Sequence, residues 1–296
     1  MRNYLLYSIS ALLISGLAAC QKEEVGATDS DILQSNKADI LAYANGKGLT
    51  GAMTPSGVYY ATTKAGTSTV SPANGQEVEF NYKLYVLSRS SNGSTVTDTF
   101  VDSTYATKPS YVYVVSSNQG LTEGLLKMRE GDRGDLLLPS DYAFGKTGAG
   151  NGAIPPNAPV RLDITLKRTR TEDQQISEYL TANKLTPTEV TPSGLRFIRT
   201  VTNSSGLVPT PTQTLTIKYT GKLLRSATPF DSTGTGTYSA VVTQFVPGFA
   251  EGLSKLRVGE KATIVFPSAL GYGSTGYQVI PAYAPLRFDI ELVTAK

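Results

Sequence analysis

Apolar and polar positions follow two periods along this chain, and the same succession of periods occurs twice. Ile176, Tyr179, Leu180 and Asn183 stand at i, i+3, i+4 and i+7, three of the four apolar, and Ile40, Leu41 and Tyr43 mark the matching helical segment of the first half. Period-two runs follow each helix. Val78, Phe80, Tyr82 and Leu84 alternate in the first half, and Leu215, Ile217 and Tyr219, then Lys222-Leu223-Leu224, do so in the second, which predicts half-buried strands. Pro247-Gly248 opens a short amphipathic helix, with proline suited to a first turn and Phe249, Leu253 and Leu256 on one face, stopping before Gly259. A strand is predicted from Ala262 to Phe266, a long Gly/Ser/Tyr loop from Ser268 to Gln278, and a closing strand from Leu286 to Val293. Strands, one short helix and more strands predict an α+β fold in which the helix covers a mostly antiparallel sheet.

The repetition extends to residue identities. Thr54-Pro55-Ser56-Gly57 recurs as Thr191-Pro192-Ser193-Gly194, Glu123-Gly124-Leu125 as Glu251-Gly252-Leu253, Leu138-Pro139-Ser140 as Phe266-Pro267-Ser268, and Ala153-Ile154-Pro155 as Val279-Ile280-Pro281. The matches are collinear at nearly constant offset, which indicates a tandem duplication. The chain of 296 residues is the right length for two domains. They are expected at residues 31–170 and 171–296.

Composition narrows the chemistry. The formal charge of +3, from 27 Lys and Arg against 24 Asp and Glu, is scattered along the chain rather than gathered in a basic stripe, so no nucleic-acid partner is expected. With no histidine and the single cysteine Cys20, a Ser-His-Asp triad, a Cys-His pair, a His- or Cys-ligated zinc and an internal disulfide are excluded. No metal or cofactor is expected.

Arg2 precedes an apolar run, Leu5 to Leu17, that is too short to span a bilayer comfortably and ends in Leu17-Ala18-Ala19-Cys20. This segment resembles a bacterial lipoprotein signal. The resemblance implies removal of residues 1–19, acylation of Cys20, and a tether of buried acyl chains rather than a helix. Residues 20–30 are polar and read as a linker, and Gln21 to Glu24 resembles a surface-export signal of Bacteroidetes lipoproteins. The expected location is the cell envelope, anchored to the outer membrane on its periplasmic face or at the cell surface.

Aromatic and aliphatic residues gather in the second copy: Tyr219, Phe230, Tyr238, Phe245, Val246, Phe249, Tyr272, Ile280 and Phe288, with one carboxylate, Asp231, on a loop that begins at Thr228. Taken by themselves, these rings read as core and Asp231 as a turn cap. Their order supports a different reading. Phe230-Asp231-Ser232, Phe245-Val246-Pro247-Gly248-Phe249-Ala250-Glu251-Gly252-Leu253, Leu256-Arg257-Val258-Gly259, Ala269-Leu270-Gly271-Tyr272-Gly273, Val279-Ile280-Pro281 and Phe288-Asp289-Ile290-Glu291-Leu292 together resemble FKBP-type peptidyl-prolyl isomerases.

That resemblance covers residues 190 to 296. It implies two FKBP-like domains, each a half-barrel of five or six antiparallel strands wrapped around one short helix. Tyr219, Phe230, Phe249, Ile280 and Phe288 would wall a proline pocket, with Phe249 as floor and Phe245 also binding substrate. The Val246 backbone N–H and the Tyr272 hydroxyl would meet substrate carbonyls, and Asp231, held by the Tyr219 hydroxyl, would lie beside the rotating amide. Tyr238 would stand at the pocket edge. The implied partners are proline-containing polypeptides and the drugs rapamycin and tacrolimus, and the short helical segments lead us to expect a monomer.

Phe249 occupies a position where many active members carry tryptophan. Copy one departs further: Leu121 falls at the floor, Asn118 at the Val246 position, Phe144 at that of Tyr272 and Leu162 at that of Phe288, while Tyr82 and Asp102 persist. Copy one is therefore expected to be a weak or inactive isomerase that binds polypeptide or spaces copy two from the membrane. A non-catalytic chaperone or adhesion module on the same fold is the alternative reading. A carbohydrate-binding surface using Tyr277 and Tyr283 is a third. If Cys20 carries the lipid, a Cys20→Ser chain should lose incorporation of labelled palmitate and leave the membrane fraction; unchanged labelling would rule out the anchor.

Overall fold

The computed structural model describes residues 28–105, 107–115 and 120–296. The expected signal with Cys20 and Gln21 to Glu24, and also Asn118, lies outside the described residues. The chain divides into two units at Thr169/Arg170, each considered by itself.

In the first unit Thr28 and Asp31 form a capping box that starts helix α1 (Asp29–Gly46). Strands β1 (Ala52–Met53), β2 (Tyr59–Lys64), β3 (Glu77–Arg89), β4 (Val96–Ser103) and β5 (Ser110–Tyr113) follow. The short helix α2 (Leu121–Leu125) then leads to β6 (Arg133–Leu138) and β7 (Val160–Arg170). The second unit repeats this order after a Thr171–Gln174 capping box: α3 (Glu172–Ala182), β8 (Glu189–Val190), β9 (Arg196–Val201), β10 (Thr214–Leu223), β11 (Asp231–Ser232), β12 (Tyr238–Val241), α4 (Pro247–Ser254), β13 (Lys261–Phe266) and β14 (Leu286–Ala295).

The sheets run β1-β2-β6-β7-β3-β4, with β5 beside β3, and β8-β9-β13-β14-β10-β11, with β12 beside β10. They correspond strand for strand, as tandem FKBP-like α+β domains should. Among the described residues each sheet has seven strands rather than five or six. The difference comes from the two-residue edge strands β1 and β8, which carry no period for a sequence reading to detect. Helix α4 ends at Ser254, so Leu256 packs from the turn beyond it, still only 1% exposed. Leu41 faces outward at 41% exposed, and Ala44 takes its place against the sheet. Asp231 stands on strand β11, paired with Gly221, rather than on a loop.

The repeated motifs touch one another. In each unit the Thr-Pro-Ser-Gly turn reaches the short helix: Ser56 Oγ donates to Glu123 Oε2 at 2.8 Å, and Ser193 Oγ to Glu251 Oε2 at 2.6 Å. The turn itself needs glycine, because Gly57 and Gly194 have φ of +92° and +93°. Each Pro-Ser loop is fastened by its unit's first helix. Asn36 Oδ1 accepts from the Ser140 N–H at 2.7 Å, and Glu172 accepts from the N–H and the hydroxyl of Ser268.

Beneath these loops the inward faces of β3 and β10 bury Val78, Phe80, Tyr82 and Leu84, and Leu215 and Ile217, respectively. Removing a hydroxyl that donates to a carboxylate costs about 1.5–3 kcal/mol when buried and less when wet. Ser56→Ala, at the partly buried clamp, should therefore destabilise its unit by more than Ser193→Ala, at the exposed one, destabilises the other. Amide exchange resolved by unit would show this order, and equal effects would refute it.

Candidate active site

The alternation of β10 and β14 decides which side chains meet. Tyr219 pairs with Ile290 and Gly221 with Phe288, so all four belong to one face of the second sheet. From α4, Phe249 stacks on Phe245 at 4.8 Å between centroids and meets Phe288 edge-on at 4.9 Å and Tyr219 edge-on at 5.6 Å. Phe288 also takes Phe230 edge-on at 5.5 Å and lies flat on Phe266 at 5.8 Å. Edge-to-face and offset pairs of this kind each contribute about 0.5–1.5 kcal/mol beyond their buried area, so the cluster holds its own shape. Phe249 and Phe288 are 3% and 5% exposed, while Tyr219, Phe230 and Phe245 are half-buried and present ring surface to solvent. Ile280 is buried, and Tyr238 stands at the rim, edge-on to Phe245 at 6.1 Å.

Polar groups sit at the margin of this box. The Tyr219 hydroxyl donates to Asp231 Oδ2 at 2.7 Å, and the Tyr219 N–H donates to Thr233 Oγ1 at 3.1 Å. Burial, and then its bond to Asp231, push the Tyr219 phenol above its ordinary range. Tyr272 is pushed up by burial, then by the negative charge of Asp231, so its ring lies within the field of that carboxylate. Tyr277 stacks on Tyr272 at 5.2 Å, which makes it a support for the site. Val246 is the N-cap of α4, and its carbonyl accepts from Phe249 and Ala250. Its own N–H and the Tyr272 hydroxyl have no partner among the described residues. The arrangement is a partly exposed cluster of rings with two unspent donors and a carboxylate at its margin, suited to an apolar ring flanked by carbonyls.

The first unit keeps one part of this. Tyr82 Oη donates to Asp102 Oδ2 at 2.9 Å, but both residues are buried, whereas Asp231 is exposed. Leu121 and Leu162 stand in the core where the other unit has Phe249 and Phe288, and Val101 precedes the aspartate where Phe230 does. Phe144 takes the place of Tyr272 and packs against the same core. Sequence reasoning missed three contributors: Phe266, which supports Phe288 from beneath, Val101, and Gly221. Laying Val101 against Phe230 and Leu84 against Gly221 in the repeat would have found two of them.

The family of FKBP-type peptidyl-prolyl cis-trans isomerases matches residues 68–167 and 206–293, more than half of the chain and once in each unit. Peptidyl-prolyl cis-trans isomerase FKBP9 of Homo sapiens is 31% identical over 212 residues, which are 68% of this chain and 33% of that protein. FKBP-type peptidyl-prolyl cis-trans isomerase FkpA of Aeromonas hydrophila is 38% identical over 119 residues, 39% of this chain and 44% of that one. The chain thus spans about a third to under half of these relatives' lengths. Among solved structures, FkpA from Escherichia coli is 28% identical with a TM-score of 0.39, covering 42% of this chain and 59% of that chain.

The raised phenols give a pH dependence with a definite sign. An unfolded tyrosine ionises near pH 10. Above that pH the unfolded chain loses protons before the folded unit does, so the stability contributed by Tyr219 and Tyr272 is complete below about pH 10 and is lost as pH rises towards their folded values. Urea unfolding of the second unit should weaken between about pH 10 and 12, less steeply in Tyr219→Phe, and an equally steep fall in that variant would refute the assignment.

Proposed function

The chain belongs to the FKBP-type peptidyl-prolyl cis-trans isomerase family, and from that premise we propose that its second unit is the catalyst, rotating X–Pro bonds of exported polypeptides. The observation that carries this reading is the half-open box of Tyr219, Phe230, Phe249 and Phe288 with the free Val246 N–H and Tyr272 hydroxyl at its lip.

Rotation about an X–Pro bond breaks amide resonance against a barrier of about 18–20 kcal/mol, and no covalent bond need form. The planar amide owes part of its stability to a charge-separated form that water favours, whereas the twisted amide is less polar. An aromatic hollow therefore costs the ground state more than the transition state, and the two donors hold the flanking carbonyls while the bond turns. Acceleration by a thousandfold requires only about 4 kcal/mol of such discrimination. Asp231, fixed by Tyr219, lies beside the amide nitrogen in this reading, and Ile280 and Phe245 complete the walls. Rapamycin and tacrolimus would compete for the same hollow.

A second reading applies to the first unit alone. Its Tyr82–Asp102 pair is buried, and Leu121, Leu162 and Val101 stand where the second unit has Phe249, Phe288 and Phe230, which supports a non-catalytic role in holding polypeptide or spacing the catalyst from the membrane. The location proposed for the whole is the cell envelope, as a monomer tethered to the outer membrane through lipidated Cys20; its support is the Leu17-Ala18-Ala19-Cys20 sequence. Among the described residues, no helix is long and apolar enough to cross a membrane.

Exchange of a proline peptide, followed by magnetisation transfer on the full chain, tests the assignment. Phe249→Ala should remove most of the acceleration, and Tyr272→Phe, which loses one hydrogen bond, should lower it by about tenfold, while Tyr82→Phe in the first unit should leave the rate unchanged. Wild-type chain that neither accelerates exchange nor binds rapamycin would overturn the reading.

A further inference from the structure

We infer that Gly221 is a positioning residue of the proline pocket: its missing side chain leaves the space that Phe230 and Phe288 occupy as walls. This inference rests on the second unit being the isomerase. A glycine within a strand weakens the strand and gives nothing to pack, so its presence points to a close approach. The reason is not backbone conformation, because Gly221 is not among the residues with positive φ. A Cβ at this position would stand 2.5 Å from Phe288 Cε1 and 2.8 Å from Phe230 Cε2 and Cζ. The Phe288 ring is held by Phe249 and Phe266 and has little freedom to retreat, so the added atom would push the half-buried Phe230 off its edge-on contact with Phe288.

The first unit supplies the complementary case. Gly221 faces Asp231 across β10 and β11, and Leu84 faces Asp102 across β3 and β4. Leu84 is 1% exposed, in one cluster with Tyr82, Leu121 and Leu162 and with Val101 packed against it. Volume has moved from one side of the site to the other. Leucine on the strand goes with valine and leucine opposite, and glycine on the strand goes with two phenylalanines. Aliphatic filling from the strand yields a core; aromatic walls over a bare backbone yield a hollow. The same exchange agrees with Asp102 being buried and Asp231 exposed.

The test uses the full chain and the variants Gly221→Ala, Phe230→Val and their double, read by kcat/KM on a proline peptide and by the urea midpoint of the second unit. Gly221→Ala should lower kcat/KM by about tenfold or more, mostly through KM, because displaced walls weaken the planar and twisted amide alike. Since the added methyl and the Phe230 ring would contend for one space, the effect of Gly221→Ala should be smaller in the Phe230→Val background, in activity and in urea midpoint alike. Should Gly221→Ala fail to fold, the set Gly221→Leu, Phe230→Val and Phe288→Leu, which installs the first unit's residues, should fold. Activity within about twofold of wild type in Gly221→Ala, strictly additive effects, or a triple variant that stays unfolded would each overturn the inference. If wild-type chain accelerates nothing, the isomerase reading falls, and the urea coupling still decides whether Gly221 makes room for the rings.

Discussion

The site depends on how closely one short helix can lie against one sheet. That distance is set by glycine. A Cβ at Gly252 would come within 2.8 Å of Ile264 Cδ1, and one at Gly248 within 2.6 Å of the Phe266 ring. A side chain at either position would require the Phe266 ring, the end of Ile264 or the helix itself to shift. With the helix pressed down, Phe249 comes within 4.9 Å of Phe288, and a strand residue and a helix residue form one surface. The first unit obeys the same constraint at Gly124, where a Cβ would meet Leu136 at 2.3 Å. Close approach is thus a property of the fold, and what the helix then presents to the sheet, Leu121 or Phe249, determines whether a core or a hollow results.

Because both units share one topology, each serves as a control for the other. What persists in both holds the domain together: the serine–glutamate clamp, the fastening of the Pro-Ser loop, the glycines of the short helix and the Tyr–Asp hydrogen bond. The persistence of Tyr82–Asp102 in a unit without the aromatic hollow shows that this bond ties β3 to β4, just as Tyr219–Asp231 ties β10 to β11. What differs is the filling and exposure around it. In the proposed reaction the carboxylate owes its place to a bond the fold already required, and its access to the widening of the space around it.

Much of this was legible in the chain. The period-two runs at Val78 to Leu84 and Leu215 to Tyr219 marked strands correctly, because within each run the apolar side chains share one face and the polar ones the other. The Pro247 helix start was legible because proline suits a first turn. Collinear repeats disclosed the duplication, and the ordered aromatics disclosed the family. The sequence could not show the edge strands, since two residues carry no period. It assigned Asp231 to a loop because β11 is defined by its pairing to β10 alone. Gly221 carried no signal of its own, for a missing side chain has no chemistry to recognise, and its importance emerges only from the rings above it. The clamp was visible as two repeated fragments, Thr-Pro-Ser-Gly and Glu-Gly-Leu, without any indication that they touch.

The proposed chemistry makes a modest demand on these parts, and the demand explains why so plain a set of residues suffices. Amide rotation transfers no proton and needs no nucleophile, so the site needs only a surface that prefers the less polar, twisted amide and donors that hold its neighbours. Tyr219 and Tyr272, whose phenols burial and the charge of Asp231 hold above their ordinary range, carry their protons at neutral pH as any tyrosine does, and a protonated phenol is a donor. In the proposed reaction the Tyr272 hydroxyl is then free to donate to a substrate carbonyl. In the first unit Phe144 stands at that position and has no hydroxyl to keep. In the proposed reading the loss of the hydroxyl, the packing of Leu84 into the core and the burial of Asp102 belong together: where no substrate carbonyl is to be held, an open lip would have no use, and closing it gains packed apolar surface.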